Sequence, residues 1–147
     1  MDLLQHVALL RSSFKNLTGH ELLDAACDTE SAVLQLQQAP FAVVSHGVEV
    51  DPIFNYANQA ALDLFEMEWK DFVRLPSRLS AEALERSERE RLLQRVTQHG
   101  FVDDYCGVRI SSSGRRFRVT DATVWNLLDD SGLYRGQAAL LKHWKFL

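Results

Sequence analysis

The sequence has 147 residues, of which 46% are hydrophobic and 24% are charged, and its formal net charge is −4. This length and apolar content predict a single well-buried domain, and the chain is too short for two domains that each bury a full core. The negative charge argues against general nucleic-acid binding, which depends on many cationic side chains that neutralise phosphates.

The cysteines and the N-terminus indicate the compartment. Cys27 and Cys106 lie far apart and belong to no Cys-x-x-Cys pair, so we expect a reducing, cytoplasmic setting. The first residues lack a basic leader followed by an apolar run, which predicts no signal peptide. No stretch reaches the roughly 18 apolar residues of a membrane-spanning helix, so no membrane partner is expected.

The first predicted helix carries an apolar stripe with alternating spacings of four and three residues, which places the stripe along one helix face. Such a face either packs on the protein's own sheet or pairs with the same helix of a second subunit, and it is too short for a free-standing coiled coil. We predict residues 1–38 as a helical segment for dimerisation or packing. The candidate dimer interface is Leu3, Val7, Leu10, Phe14 and Leu17.

Helix and strand signals alternate through the middle of the chain. The Thr18-x-x-Glu21 spacing is typical of a capping box and predicts a second helix running toward Gln38, with a possible break at the polar residues 28–31. Residues 41–46 and 53–56 are predicted strands. Asn58 is expected to cap a helix over residues 59–67.

A long helix is predicted after a series of short helical turns that ends at Pro76. Ser80 is its expected N-cap, and Gly100 follows its last residue, His99. The first half is densely charged and indicates a solvated face. The second half carries Leu92, Leu93 and Val96, which we expect to anchor the helix on the sheet.

The last third of the chain, from Phe101, is predicted to be a three-stranded antiparallel meander, because runs of β-branched and aromatic residues alternate with turns that end in glycine. With tight turns, Cys106 lies opposite Asp121, and Trp125 lies near Gly136. A shift of one residue would exchange the two faces of the sheet. The predicted core face is Val102, Cys106, Val108, Ile110, Phe117, Val119, Asp121, Thr123, Trp125, Tyr134, Ala138 and Leu140.

Two strands, then helices, then three strands predict an α+β fold with a five-stranded antiparallel sheet and helices packed on one side, plus the N-terminal helices. Asp121 is unusual on the predicted core face, because burying a carboxylate costs several kcal/mol unless it is paired. It is either a satisfied structural residue or a group that faces a cavity. With Thr123 or Cys106 it could form a small acid/base site.

Four stretches, residues 51–58, 75–82, 105–117 and 136–139, resemble the MEKHA domain family. That family is similar to PAS sensory domains. It occurs as small stand-alone bacterial proteins and as the C-terminal part of a plant class of homeodomain leucine-zipper transcription factors. The resemblance begins at about Leu22, and we assign residues 39–147 to the PAS-like domain. It implies a sheet that cups a small-molecule pocket under a helical cover, often in a dimer formed through an N-terminal helix.

The cofactor is not assigned by the resemblance. Flavin-type PAS domains place a reactive cysteine in an Asn-Cys-Arg-Phe-Leu-Gln setting, and neither cysteine here has such neighbours, which argues against covalent flavin. Haem-type PAS domains take an axial histidine from the long helix. His99 stands at the very end of that helix, where a histidine commonly caps carbonyls, so haem is disfavoured. The histidines have no metal-ligand spacing, and no metal site is predicted.

The favoured function is a sensory or ligand-binding module that binds a small molecule non-covalently, forms a homodimer and signals through a separate output protein. The first alternative is a dimerisation or protein-interaction module without a ligand. The second is a small α+β enzyme that uses Asp121, although the sequence contains no catalytic motif and predicts a non-enzyme. The candidate pocket is Tyr56, Leu93, Val96, Cys106, Asp121, Thr123, Trp125 and Ala138.

Overall fold

The structure is a computed structural model that describes residues 2–82 and 86–147. Its helices are α1 (Leu3–Thr18), α2 (Thr29–Gln38), α3 (Gln59–Phe65), α4 (Trp69–Phe72) and α5 (Arg86–His99), with a 3₁₀ turn at Ser77–Ser80. Its strands are β1 (Ala42–His46), β2 (Phe54–Ala57), β3 (Phe101–Ile110), β4 (Arg116–Leu128), β5 (Tyr134–Leu141) and β6 (His143–Phe146). The predicted start of the long helix just after Ser80 falls partly on residues 83–85, outside the described residues.

The strands form one antiparallel sheet in the order β2-β1-β5-β4-β3, and this confirms the predicted five-stranded α+β fold. An additional strand, β6, pairs with the first part of β4, from Phe117 opposite Phe146 to Thr120 opposite His143. Strand β4 is longer than β5, so its first part has an edge that β5 leaves unpaired. The end of the chain covers this edge.

The alternation of side chains between the two faces of the sheet is interrupted in strand β4 at Asp121. The backbone of Asp121 has φ 52°, in the left-handed region that aspartate adopts more readily than β-branched residues do, and its side chain is exposed. Before this residue, Phe117 and Val119 face one side of the sheet. After it, Ala122 and Val124 lie on that same side, whereas Trp125 packs on the other side. A single core face along β4 was therefore the wrong prediction, because a β-bulge breaks the two-residue alternation.

The predicted strand registers were wrong as well. Ile110 was expected opposite Phe117 and pairs with Arg116, because the first turn is one residue shorter and closes with the Ser111 N–H donating to the Arg115 carbonyl at 2.9 Å. The partner of Trp125 is Ala138 instead of Gly136. Irregularities on either side of Tyr105 also separate Cys106 from Asp121. Each shift comes from turn length or a bulge, which residue types do not specify.

The sheet is covered on both faces. Helices α3, α4 and α5 cover the face that carries Phe117 and Val119, as predicted for helices on one side. Helix α1 covers the other face together with α2, and the Phe14 ring meets the Trp125 ring edge-on with centroids 5.0 Å apart. The second core cluster includes Val7, Leu10, Phe14, Leu36, Val43, Tyr56, Trp125, Leu127, Ala138 and Leu140.

This packing decides between the two predicted roles of the α1 stripe. Val7 and Leu10 have no exposed surface, Phe14 is buried, and Leu17 packs partly buried beside them. Leu3 alone of the stripe is exposed, at 41%. The stripe therefore packs on the protein's own sheet, and its assignment as a dimer interface was wrong. The physical reason is that Trp125 and Leu127 form an apolar reverse face that the chain itself must cover.

The connection from α1 to α2 differs from the predicted capping box. The Thr18 hydroxyl donates to the Phe14 carbonyl at 2.7 Å, and Gly19 ends α1 with φ 77°. Helix α2 begins later, where the Asp28 carboxylate accepts from the Ser31 N–H at 2.7 Å. The polar run at residues 28–31 is thus the start of α2, which explains the predicted break.

Asn58 caps α3, as predicted, and joins three elements of the core. Its side-chain oxygen accepts from the N–H of Val43 at 3.0 Å and from the N–H of Ala61 at 3.2 Å. Its amide group donates to the carbonyls of Leu36 at 2.9 Å and Phe41 at 2.8 Å. The residue is fully buried, so every side-chain hydrogen bond that it makes is shielded from water. In the described parts of the chain, no helix combines the length and hydropathy needed to cross a bilayer.

Candidate functional site

A cavity lies between the sheet and the helices on the α5 side. Its volume is about 70 Å³, which is more than the roughly 30 Å³ that one water molecule occupies in the liquid. Its apolar wall includes Val44, Phe54, Phe65, Leu92, Leu93, Val119, Val124, Ala138, Ala139 and Leu141. Its polar lining is Ser45, His46, Ser77, Ser80, Arg89, Tyr105, Arg109 and Gln137.

The structure brings only part of the predicted pocket to this cavity. Leu93 and Ala138 contribute to its wall, and Val96 packs in the neighbouring cluster with Leu92 and Val124. Tyr56 and Trp125 belong to the core under α1, on the opposite face of the sheet. Thr123 is half-buried and does not line the cavity.

Cys106 and Asp121 are exposed, so the predicted acid/base site built on Asp121 does not form. The left-handed backbone of Asp121 turns its side chain outward, and the irregularities on either side of Tyr105 separate Cys106 from it. His99 is exposed at the end of α5, away from the cavity lining. No group of His, Cys, Asp and Glu suited to a metal ion occurs within residues 2–82 and 86–147.

Arg89 is the principal charged group of the cavity. It lies on the inner face of α5, its exposed fraction is 5%, and its Nη2 donates to the hydroxyl oxygen of Ser77. The nearest described carboxylate is that of Glu90, 4.0 Å from Nη1, and this glutamate is largely solvated. Burial lowers the pKa of Arg89 to about 10, with a further contribution from the charge of Arg109. The guanidinium is therefore still cationic at neutral pH.

Sequence reasoning missed Arg89 because it stands in a charged run that indicates a solvated face. The signal that identifies it is its spacing: Arg89, Leu92 and Val96 follow one another at three and four residues and so share one face of α5. The turn that holds Ser77 is itself anchored, since the Ser77 N–H donates to the Pro52 carbonyl at 2.8 Å.

His46 is the second buried polar group of the cavity, at the end of β1. Its Nδ1 lies 2.9 Å from the Gly47 carbonyl, so Nδ1 carries the proton and Nε2 is an acceptor. Gln137 lies beside it on β5, yet no hydrogen bond of ordinary geometry reaches Nε2 from the described residues. Burial lowers the pKa of His46, assisted by the charge of Arg89 and opposed by the Gly47 hydrogen bond and by the nearby Gln137 side chain. The imidazole is neutral at pH 7.

A separate polar chain tethers α1 to the reverse face of the sheet. The Ser45 hydroxyl donates to Oδ1 of Asn55 at 2.5 Å, so it accepts from Nε2 of His6, at 2.9 Å. His6 is buried, and burial lowers its pKa to about 4. The neutral tautomer of His6 that donates from Nε2 is the form that this contact requires.

His6 predicts an acid-sensitive fold. In the unfolded chain His6 binds a proton near pH 6.5, whereas in the folded protein it does so only near pH 4, so acid favours the unfolded state. Its stabilisation is complete above pH 6.5 and declines as the pH falls toward 4. We expect the free energy of unfolding to fall by about 2.5 kcal/mol more in the wild type than in His6→Gln between pH 7.5 and 4.5, as measured by urea unfolding.

His20→Gln is the matched control, because His20 is exposed. The free energy of unfolding of His20→Gln should depend on pH as that of the wild type does. If the free energy of unfolding depended on pH equally in the wild type and in His6→Gln, the fold would not be holding His6 neutral.

The profile of the MEKHLA domain family, spelled MEKHA above, matches residues 4–146. The chain is similar to the homeobox-leucine zipper protein ATHB-9 of Arabidopsis thaliana, with 28% identity over 96% of this chain and 17% of that protein. It is also similar to the homeobox-leucine zipper protein HOX32 of Oryza sativa subsp. japonica, with 27% identity over 92% of this chain and 16% of that protein. The chain thus spans about a sixth of the length of these relatives, which are plant proteins and not the stand-alone bacterial proteins that the resemblance also implies.

Solved structures with the same fold are PAS domains and light-oxygen-voltage proteins. A PAS domain from Colwellia psychrerythraea superposes with a TM-score of 0.65 at 9% identity, over 77% of this chain and 93% of that chain. The PAS domain of a LuxR-family transcriptional regulator from Burkholderia thailandensis, in complex with ethanol, superposes with a TM-score of 0.57 at 17% identity, over 78% and 95% of the two chains. An RNA-binding light-oxygen-voltage receptor superposes with a TM-score of 0.64 at 15% identity, over 82% of this chain and 34% of that chain. These likenesses establish a PAS-like fold.

Proposed function

This chain belongs to the MEKHLA domain family, and from that membership we propose that it is a sensory module that binds a small molecule non-covalently in the cavity under α5. It has a PAS-like fold, and in this proposal it acts as a binding module and not as a catalyst. In this proposal residues 39–147 form the ligand-binding domain, and residues 1–38 form its cover on the reverse face of the sheet.

The observation that carries the proposal is the cavity itself, in which an apolar wall surrounds buried polar groups. Nε2 of His46 is buried without a hydrogen bond from the described residues, and the guanidinium of Arg89 presents several N–H donors to the cavity, one of which bonds to Ser77. Ligand sites typically combine an apolar wall with a small number of such orienting groups. The ethanol bound to the Burkholderia thailandensis PAS domain supports the same use of the fold.

The signal is proposed to leave through another polypeptide segment or a partner protein. In the plant relatives the similar region is one part of a much longer homeobox-leucine zipper protein. A cytoplasmic location and self-association belong to the proposal as well. Because the α1 stripe is internal, self-association would use a different surface.

Native mass spectrometry of the freshly purified protein, followed by ligand-observed NMR with a library of small compounds, tests the proposal. Ala139→Leu should abolish binding to the cavity, because Ala139 lines it and the added carbons occupy its volume. Ala8→Leu, at an exposed position of α1, is the matched control and should bind as the wild type does. If no compound distinguishes wild type from Ala139→Leu, the chain is a protein-interaction module with a filled core.

A further inference from the structure

We propose that the ligand of this cavity is a small carboxylate that carries a hydroxyl group, with the carboxylate on Arg89 and the hydroxyl on Nε2 of His46. This inference rests on the proposed function and specifies the chemical class of its ligand. Two independent features of the described residues lead to it, the charge balance of the cavity and the tautomer of His46.

The charge balance calls for an anion. Arg89 and Arg109 both line the cavity, and none of its described lining residues is Asp or Glu. Within the described chain, the Asp51 carboxylate pairs with Arg78 at 3.2 Å, and that of Glu90 is 65% exposed. Burying a cation costs several kcal/mol; the Ser77 hydroxyl and the solvated Glu90 carboxylate offset part of that cost, and a bound anion would offset more. A carboxylate matches the planar guanidinium fork, whose hydrogen bond to Ser77 leaves other N–H donors unused.

The tautomer of His46 calls for a hydrogen-bond donor on the ligand. Its Nδ1 donates to the Gly47 carbonyl, so Nε2 can only accept, and Nε2 is buried without a described partner. The exposed fraction of the residue is 7%, and it lines the same cavity as Arg89. Burial, assisted by the positive charge of Arg89, lowers the pKa of His46 and keeps it from taking up a proton. An acceptor beside a cation is satisfied by a hydroxyl and not by a second carboxylate.

The volume limits the ligand to a short molecule. A space of about 70 Å³ is small beside ordinary ligand pockets of about 300–1,000 Å³, and it favours a ligand with only a few carbon atoms, such as a three-carbon hydroxy acid. Leu92, Val119 and Val124 form the apolar part of the wall and would contact its carbon atoms.

The test compares three probes of nearly equal size, each titrated into the full chain at pH 7 by calorimetry. Lactate has both groups, propionate lacks the hydroxyl, and 1,2-propanediol lacks the carboxylate. We expect lactate to bind about tenfold more tightly than propionate, and propanediol to show no measurable binding. Arg89→Met should weaken lactate binding by at least about 30-fold, whereas Arg91→Met, exposed on the same helix, should leave it unchanged.

His46→Phe separates the two contacts. It should bring lactate binding down to that of propionate, because only the hydroxyl contact is lost. If this variant does not fold, the relative affinities of the wild type for the three probes still test both contacts. Equal affinity for lactate and propionate would overturn the hydroxyl contact, and propanediol binding as tightly as lactate would overturn the carboxylate contact.

A failure of this inference is distinguishable from a failure of the proposed function. Neutral compounds that bind wild type but not Ala139→Leu, with no binding of lactate, would overturn the ligand class and leave the sensory module intact. No binding of any compound would overturn both.

Discussion

Asn58→Leu is expected to lower the free energy of unfolding by about 5 kcal/mol, which is the whole stability of many small domains. Leucine preserves much of the volume but removes every hydrogen bond of the side chain. It leaves the N–H groups of Val43 and Ala61 and the carbonyls of Leu36 and Phe41 without these partners in the core. Each buried group left unpaired costs about 1–3 kcal/mol. Urea unfolding, or failure to obtain folded protein, measures the effect.

Asn16→Leu provides the control for this substitution. Asn16 is exposed on α1, and leucine is the better helix former, so we expect a change within about 0.5 kcal/mol. A loss below about 1 kcal/mol in Asn58→Leu would mean that water or backbone movement replaces the missing partners.

Leu10→Glu is expected to unfold the protein or reduce its stability by more than about 4 kcal/mol. Leu10 has no exposed surface and packs in the core under α1, so glutamate would lose the apolar contacts and place a charge in that core. The milder Leu10→Ala should cost about 3 kcal/mol and yield folded protein with the mass of the wild type in sedimentation. These measurements distinguish the two roles considered for the stripe.

Leu4→Glu is the matched control on the same helix. Leu4 is exposed, and a glutamate in the first turn of α1 interacts favourably with the helix dipole. We expect it to remain folded with unchanged stability. A stable Leu10→Glu protein with half the wild-type mass would instead restore the stripe as a dimer interface.

Much of the fold could be predicted, since its signals are local. Alternating apolar residues predicted the long strands β3 and β4, and Asn58 predicted the start of α3. The short strand β6 was missed because its four residues pair only with a distant stretch of β4.

The candidate site was predicted less well. Leu93 and Ala138 were expected in the cavity and line it, whereas Arg89 and His46 were not expected there. A charged residue within a run of charges indicates solvent, and nothing in the local sequence shows that the Ser77 turn will lie over Arg89. The burial of this arginine depends on residues that are distant in the chain.

The sequence by itself determined the element types, the α+β class and the family, because periodicity and turn residues act over a few neighbours. The tertiary structure decided which face each element presents. The left-handed backbone at Asp121 directs Trp125 to the reverse face and Val124 to the cavity, and the apolar stripe of α1 is buried against that reverse face. One backbone angle reverses the facing of all later residues in a strand, since neighbouring side chains point to opposite sides. For that reason the predicted pocket residues lie on both faces of the sheet. Which residues line the cavity depends on how the strands pair.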